Sequence, residues 1–248
     1  ATDVKPNRIS AAQAAAKAFV DEQPSNVRIG VVSFAATASV VQTPTQNRED
    51  IITAIDRFQL QRGTAIGSGI IVSLATIFPD AGIDVSSFIY GRSGARGVPI
   101  DQAEKSDKPP VKPVAPGSYT SAAIILLSDG QRTTGPDSIE AARLAADRGV
   151  RIFTVGFGTQ SGETIGFEGW SMRVRLDEET LKTIANLTRG EYFYAGTAAD
   201  LKKVYQVLNS KFLLEKKPME ISSLFAGAAA LIAVTSALLS LLWFHRIL

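Results

Sequence analysis

The 248 residues include 45% hydrophobic side chains, enough apolar material for one good-sized α/β domain and an appendage. Twenty-six basic and 24 acidic residues leave a net charge of only +2, and no basic stripe is interleaved with aromatics, so nucleic-acid binding is not expected. With no cysteine and a single histidine, His245, the sequence excludes disulfides, thiolate zinc sites, cysteine nucleophiles, Ser-His-Asp catalysis and multi-histidine metal sites.

The chain starts Ala1-Thr2-Asp3-Val4, without an initiator Met or signal peptide, and is expected to be a processed form or a piece of something longer. Pro6 to Asp21 places Ile9, Ala12, Ala16, Phe19 and Val20 at helical spacing, which predicts a helix with one buried face. Gln23-Pro24-Ser25-Asn26 ends it. Val27 to Phe34 follows as a mostly apolar interior strand, and Ala38 to Gln42 as a shorter one closed by Pro44. Asn47 can cap a helix over Arg48 to Phe58, with Ile51, Ile52, Ile55 and Phe58 as its inner stripe.

Gln61-Arg62-Gly63-Thr64-Ala65-Ile66-Gly67-Ser68-Gly69 opens a helix that runs to about Phe78, with Thr64 placed to cap it. A glycine-rich helix start invites a phosphate-loop reading, but Gly-Lys-Ser/Thr and G-x-G-x-x-G are both absent, so no nucleotide is expected. The glycines more simply let this helix pack close to its neighbours. From Pro79 to Ser118 the periodicity collapses into prolines, glycines and a polar tract at Asp101 to Lys112, which predicts a mobile surface insertion.

Six apolar residues, Ala122 to Leu127, then run into Ser128, Asp129 and Gly130: a buried central strand delivering an acid to its carboxyl end, where open α/β sheets bind ligands. A strand-ending Asp also serves as a turn former or helix cap. Pro136 starts a helix to Arg148, Val150 to Phe157 is another parallel-type strand, and a loop through Trp170 and Met172 leads to Asp177, the cap of a helix over Glu178 to Leu187. A last short strand, Glu191 to Ala195, precedes a last helix, Thr197 to Leu214. This alternation implies a Rossmann-like, mostly parallel sheet with helices on both faces.

After a linker at 215–221, Ser222 to Phe244 is 23 residues without a charge, roughly 34 Å of helix against a hydrocarbon core of about 30 Å. It is expected to be a transmembrane helix, with Trp243 as an interface anchor and 245–248 as its tail. Lys211, Lys216 and Lys217 precede it and Arg246 follows, a bias toward a cytoplasmic domain, although folded domains translocate regardless of nearby lysines.

Thr64 in Arg62-Gly63-Thr64-Ala65-Ile66-Gly67 and Asp129 in Leu126-Leu127-Ser128-Asp129-Gly130, with the elements in this order, resemble a von Willebrand factor type A domain. Gly169-Trp170-Ser171-Met172-Arg173-Val174-Arg175-Leu176-Asp177-Glu178-Glu179-Thr180-Leu181 and Gly190-Glu191-Tyr192-Phe193-Tyr194-Ala195 are similar to its bacterial membrane-anchored Bat (aerotolerance-type) group. The resemblance covers essentially the whole chain. It implies a metal-ion-dependent adhesion site at the carboxyl edge of the sheet, holding Mg²⁺ or Mn²⁺ through an Asp-x-Ser-x-Ser loop, a Thr and an Asp. Thr64 matches the second of these and Asp129 the third. Ala1 to Arg8 resembles the segment just after Asp-x-Ser-x-Ser, so the resemblance implies that the principal ligands and the first strand lie before residue 1; Asp3 is no substitute.

The resulting expectation is a protein-binding module over 1–214, anchored in a bacterial inner membrane as a single-pass protein, with the domain placed outside the cytoplasm by the resemblance. Its partners are one or more proteins and the lipid bilayer, with no nucleotide. With the site incomplete, metal binding is expected to be weak or absent. A metal-independent membrane scaffold is the alternative. A hydrolase stands behind both, since no nucleophile with a base and no convergent acid pair can be named, and no catalytic residue is assigned.

Overall fold

A computed structural model describes residues 7–59, 61–90, 112–128, 131–158, 163–167, 170–174, 176–213 and 222–244. Asn7 opens α1 (Arg8–Glu22) by accepting the Ser10 N–H at 2.8 Å, and the helix buries Ala11, Ala15 and Val20. β1 (Ile29–Phe34) and β2 (Ala38–Thr45) form an antiparallel hairpin. Asn47 caps α2 (Arg48–Asp56), which ends short of the predicted Phe58: Arg57 is its C-cap and the Phe58 N–H bonds back to Ile55 O at 3.2 Å.

α3 (Ile66–Ile77) is buried almost all round at its first two turns, from Ile66 through Val72. The predicted structureless insertion does not begin at Pro79. A 3₁₀ turn (Pro79–Ala81) and α4 (Val85–Tyr90) follow, with Ile83 and Val85 packed on the core. The Asp84 carboxylate starts α4 by accepting the Ser86 hydroxyl and the Ser86 and Ser87 N–H groups, bonds that favour its ionised form and hold its pKa below the ordinary value. Residues 91–111, the greater part of that segment, lie outside the described residues.

Downstream come β3 (Tyr119–Ser128), α5 (Ser138–Asp147), β4 (Val150–Phe157), β5 (Glu163–Phe167), β6 (Trp170–Val174), α6 (Glu178–Leu187), β7 (Tyr192–Ala195), α7 (Ala198–Leu213) and α8 (Ser222–Phe244). α5 starts two residues after Pro136 because Asp137 Oδ1 takes the Ile139 and Glu140 N–H groups at 2.9 and 3.1 Å. The stretch through Trp170 and Met172 is not a loop: β5 and β6 pair as an antiparallel hairpin, Phe167 opposite Trp170 and Glu163 opposite Val174.

The parallel sheet has the order β3-β4-β7, with Ile125 opposite Phe153 and Phe157 opposite Ala195. Period-two alternation divides its side chains between two faces. Ile124, Leu126, Val150 and Ile152 meet α3, α5 and α6 through Ile66, Ile70, Leu74, Ala142, Leu181 and Ile184. Ala123, Ile125, Leu127, Phe153, Val155 and Phe157 meet α1 and α7 through Ala11, Ala15, Leu201 and Leu208. The predicted Rossmann-like arrangement is thus present, but the sheet is interrupted: β1-β2 is hydrogen-bonded as a separate two-stranded sheet and β3 is an edge.

Tyr205 packs on Phe19 with ring centroids 5.0 Å apart, and burial pushes its phenol up to about 12. The unfolded chain loses that proton near pH 10, so between pH 10 and 12 the unfolded state binds fewer protons and stability falls as pH rises. Below pH 10 the effect is absent. Alkaline unfolding should move upward in Tyr205→Phe, by at most about 3 kcal/mol at pH 12; a midpoint pH equal to that of the unmodified chain would contradict this.

The chain separates into two compact units, 1–212 and 213–248. The second contains α8, a helix over the 23 residues expected from the sequence, with Phe225, Leu231, Ile232, Leu238, Leu239 and Trp243 exposed. Among the described residues no helix is long and apolar enough to cross a membrane. In α8 the side chains of 222–224, 228, 241–242 and 244 lie outside the described set, so its longest fully described run is 229–240. The linker expected at 215–221, His245 and the tail also lie outside it.

Candidate functional site

Three segments meet at the carboxyl edge of the strands. Gly63, at φ +85°, turns the chain into α3, and a Cβ on it would lie 3.2 Å from Ala36 Cα, in the turn leaving β1, and 3.4 Å from Thr133 Oγ1, in the segment leaving β3. The next residue is the stitch. The Thr64 N–H donates to Thr133 Oγ1 at 2.7 Å, and the Thr64 carbonyl accepts from the Thr133 and Thr134 N–H groups at 3.1 and 3.5 Å.

This geometry corrects the role given to Thr64 as a helix cap. The N-cap of α3 is Ala65, whose methyl side chain has no acceptor for a capping bond, and the backbone of Thr64 is committed across the gap to Thr133. Thr64 is half-buried, and its hydroxyl takes no hydrogen bond among the described residues.

The helix start is pressed against the segment that follows. A Cβ on Gly67 would fall 2.4 Å from Pro136 O, and one on Gly135, at φ +78°, would fall 2.8 Å from Ser68 Oγ. Arg132 holds that segment from within, its Nη1 donating to Gly135 O at 3.0 Å. At the end of β4, Gly158 has φ +140° and leaves room for the Arg8 guanidinium, 2.8 Å from where a Cβ would stand. The start of α1 therefore lies at the same edge.

Asp129 lies outside the described residues, and so does Asp3. The structure therefore places Thr64 beside the segment that leaves β3 but does not describe the acid paired with it. Thr133, which holds Thr64, was not singled out from the sequence. It sits in a polar Gln131-Arg132-Thr133-Thr134-Gly135 run where no periodicity distinguishes one threonine from the next.

Among the described residues no three Asp, Glu, His or Cys side chains converge. Of the expected ligands only the neutral Thr64 hydroxyl is described. With Asp129 it would make two oxygen donors of the kind Mg²⁺ takes, short of the near-octahedral set that ion demands.

A sheet covered by helices on both faces, with its loops gathered at the carboxyl edge, defines an open α/β domain of the kind that binds at that edge. Residues 1–86 and 115–207 each match the von Willebrand factor type A domain, and the chain belongs to that family, whose domains are protein-interaction modules. Its relatives include a "UPF0353 protein" of Mycolicibacterium paratuberculosis, 36% identical over all of this chain and 67% of that protein. Among solved structures, BatB from Bacteroides thetaiotaomicron is similar with a TM-score of 0.60 and 23% identity, covering 86% of this chain and 92% of that one. An aerotolerance-related membrane protein from Bacteroides fragilis gives 0.62 and 20%, covering 86% and 91%. At these identities the two structures speak for the fold.

Proposed function

We propose that this chain is a membrane-anchored protein-interaction module that engages its partner at the carboxyl edge of the sheet. The observation carrying the reading is the stitching of Thr64 to Thr133, which fixes two loops at the edge where a partner would dock. Asp129 belongs to the chain between the end of β3 and that second loop, so a ligand role beside Thr64 is consistent with its position in the sequence.

α8 is the proposed single membrane span. An uncharged helix of 23 residues with no polar face would otherwise leave Phe225, Ile232 and Trp243 in water. The resemblance to Bat-type proteins supports an inner-membrane location with the domain outside the cytoplasm, and the similarity to an aerotolerance-related membrane protein from Bacteroides fragilis agrees with membrane attachment.

A metal-bridged contact through Thr64 and Asp129, with Mg²⁺ or Mn²⁺, would need further donors, and this chain is expected to bind the ions weakly or not at all. A metal-independent scaffold is the second reading, consistent with the Thr64–Thr133 contact, which needs no ion. Calorimetric titration of the full chain in mild detergent should give no micromolar Mg²⁺ or Mn²⁺ binding; such affinity would overturn the weak-binding expectation. For the docking edge itself, a photo-crosslinker at Gln131 in native membranes should capture a partner and one at Val114, on the opposite edge, should not. Capture from Val114 alone would sink the proposal, and loss of capture in EDTA would select the metal-bridged form over the scaffold.

A further inference from the structure

The amino edge of the sheet carries a turn that the backbone holds firmly and leaves bare. Residues 112–116, Lys-Pro-Val-Ala-Pro, are all exposed, and Val114 keeps 48% of its surface open. Three bonds fix the turn between the end of α5 and the start of β3: the Val114 N–H to Asp147 O at 2.9 Å, the Ser118 N–H to Ala115 O at 3.1 Å and the Tyr119 N–H to Gly149 O at 3.0 Å. Two glycines bring it close. A Cβ on Gly149, at φ +71°, would stand 3.0 Å from Val114 Cγ2, and one on Gly117, at φ +76°, would stand 2.9 Å from Arg189 Cβ and 3.4 Å from Arg151 Cγ.

Cations surround the apolar tip. Lys112, Arg148, Arg151 and Arg189 outnumber Asp147 and Glu191 at these ends of the strands and helices. A cation at a helix C-terminus is favoured by the macrodipole, which accounts for Arg148 at the end of α5. Arg189 is different. It follows α6 at φ +58°, the left-handed position for which α5 uses Gly149, and glycine would make the same turn with less strain. Geometry alone does not ask for an arginine there.

The course of the chain says which surface these groups meet. α1 begins at the carboxyl edge, with Arg8 against Gly158, so it ends at the amino edge, where Gln23 donates to Asn209 Oδ1 of α7 at 3.0 Å. α7 therefore ends at the amino edge too. Residues 214–221 can span at most about 28 Å before the uncharged α8 begins.

We propose that the amino edge, with Val114 as an apolar tip among Lys112, Arg148, Arg151 and Arg189, docks on an anionic lipid surface. Val114 enters the headgroup layer and the cations meet lipid phosphates. This rests on the reading of α8 as a membrane span, and it leaves the opposite edge, with Thr64 and Thr133, open to a protein partner.

A chain without cysteine accepts a single reporter. In the full chain reconstituted into phosphatidylcholine vesicles with and without phosphatidylglycerol, a fluorophore on Val114→Cys should be quenched by a nitroxide on the lipid headgroup about 3-fold more than one on Gln131→Cys, and only where phosphatidylglycerol is present. Raising salt from about 0.1 to about 0.5 M should remove about half of that excess. Adding Arg189→Gly should leave the melting temperature no lower, because glycine suits the turn, yet abolish most of the excess. An alkaline carbonate wash reads the anchor separately: release of the chain would reject α8 as a span and this proposal with it. For a chain that stays, equal quenching at the two positions, or quenching at Val114 indifferent to phosphatidylglycerol and to Arg189→Gly, would overturn the docking alone. Shielding of the Val114 reporter in native membranes without quenching in vesicles would assign this edge to a protein and overturn it as well.

Discussion

Replacing Gly190 by alanine is expected to lower the melting temperature of the domain by about 8–16 °C, the equivalent of roughly 4 kcal/mol in a chain of this size. Gly190 follows α6 and passes directly against β4. An added Cβ would stand 2.0 Å from Ile152 O and 2.6 Å from its carbonyl carbon. Those are backbone atoms of Ile152, itself fully buried, so no side chain can rotate away. The junction is held from three directions: Thr188 Oγ1 accepts the Ile152 N–H at 3.1 Å, Thr154 Oγ1 donates to Leu181 O at 3.0 Å, and the Gly190 N–H bonds to Ala185 O at 2.9 Å. Moving α6 off the sheet to admit a methyl would strain all three and uncover Leu181 and Ile184. Domains of this size are stable by about 5–15 kcal/mol, so the loss is a large share of the total. Thermal unfolding of the full chain in mild detergent, followed by near-UV circular dichroism, checks it; a midpoint within 2 °C of the parent would contradict the geometry.

The sequence made the strand–helix alternation legible because each element there buries a simple face. Ile152, Val155 and Phe157 belong to a continuous apolar run, and Leu181, Ile184 and Ala185 form a stripe of period 3.6. It was less informative where backbone contacts between distant segments decide the outcome. Thr64 looked like a helix cap because caps are read from local residue type, whereas its backbone is taken by Thr133, 69 residues away. The β5–β6 hairpin escapes the reading because Glu163–Phe167 lacks clean alternation and because the alternation of Trp170, Met172 and Val174 with Ser171 and Arg173 spans only five residues. Asp84 and its two serines start a helix inside a stretch dismissed for its glycines and prolines, since one short capped turn needs no periodicity. The interrupted sheet was anticipated through the family resemblance and not through pattern, as β1 reads as an interior strand whether or not it has a second neighbour.

Gly67→Ala tests the candidate site, and two effects of opposite sign compete in it. In an exposed helix interior the substitution would stabilise by about 1 kcal/mol through helix propensity. Gly67 is instead fully enclosed at the start of α3, where a Cβ would meet Pro136 O at 2.4 Å, Pro136 C at 3.0 Å and Asp137 O at 3.1 Å. The Asp137 carbonyl already accepts the Ala141 N–H and its side chain caps α5, so this wall cannot yield without disturbing that helix. The clash wins, with a net loss of about 2–3 kcal/mol expected. The start of α3 must also withdraw from the segment leaving β3, pulling Thr64 from Thr133. Partner capture from a crosslinker at Gln131 should therefore fall at temperatures where the variant is still folded. Thr133→Val separates the two consequences: it removes the Thr64 N–H bond without a clash, should cost about 1 kcal/mol, and should weaken capture while leaving the α3–α5 packing intact. A Gly67→Ala protein more stable than its parent would show that the helix start and the following segment are not in contact. Undiminished capture in both variants would show that the stitched loops do not form the docking edge.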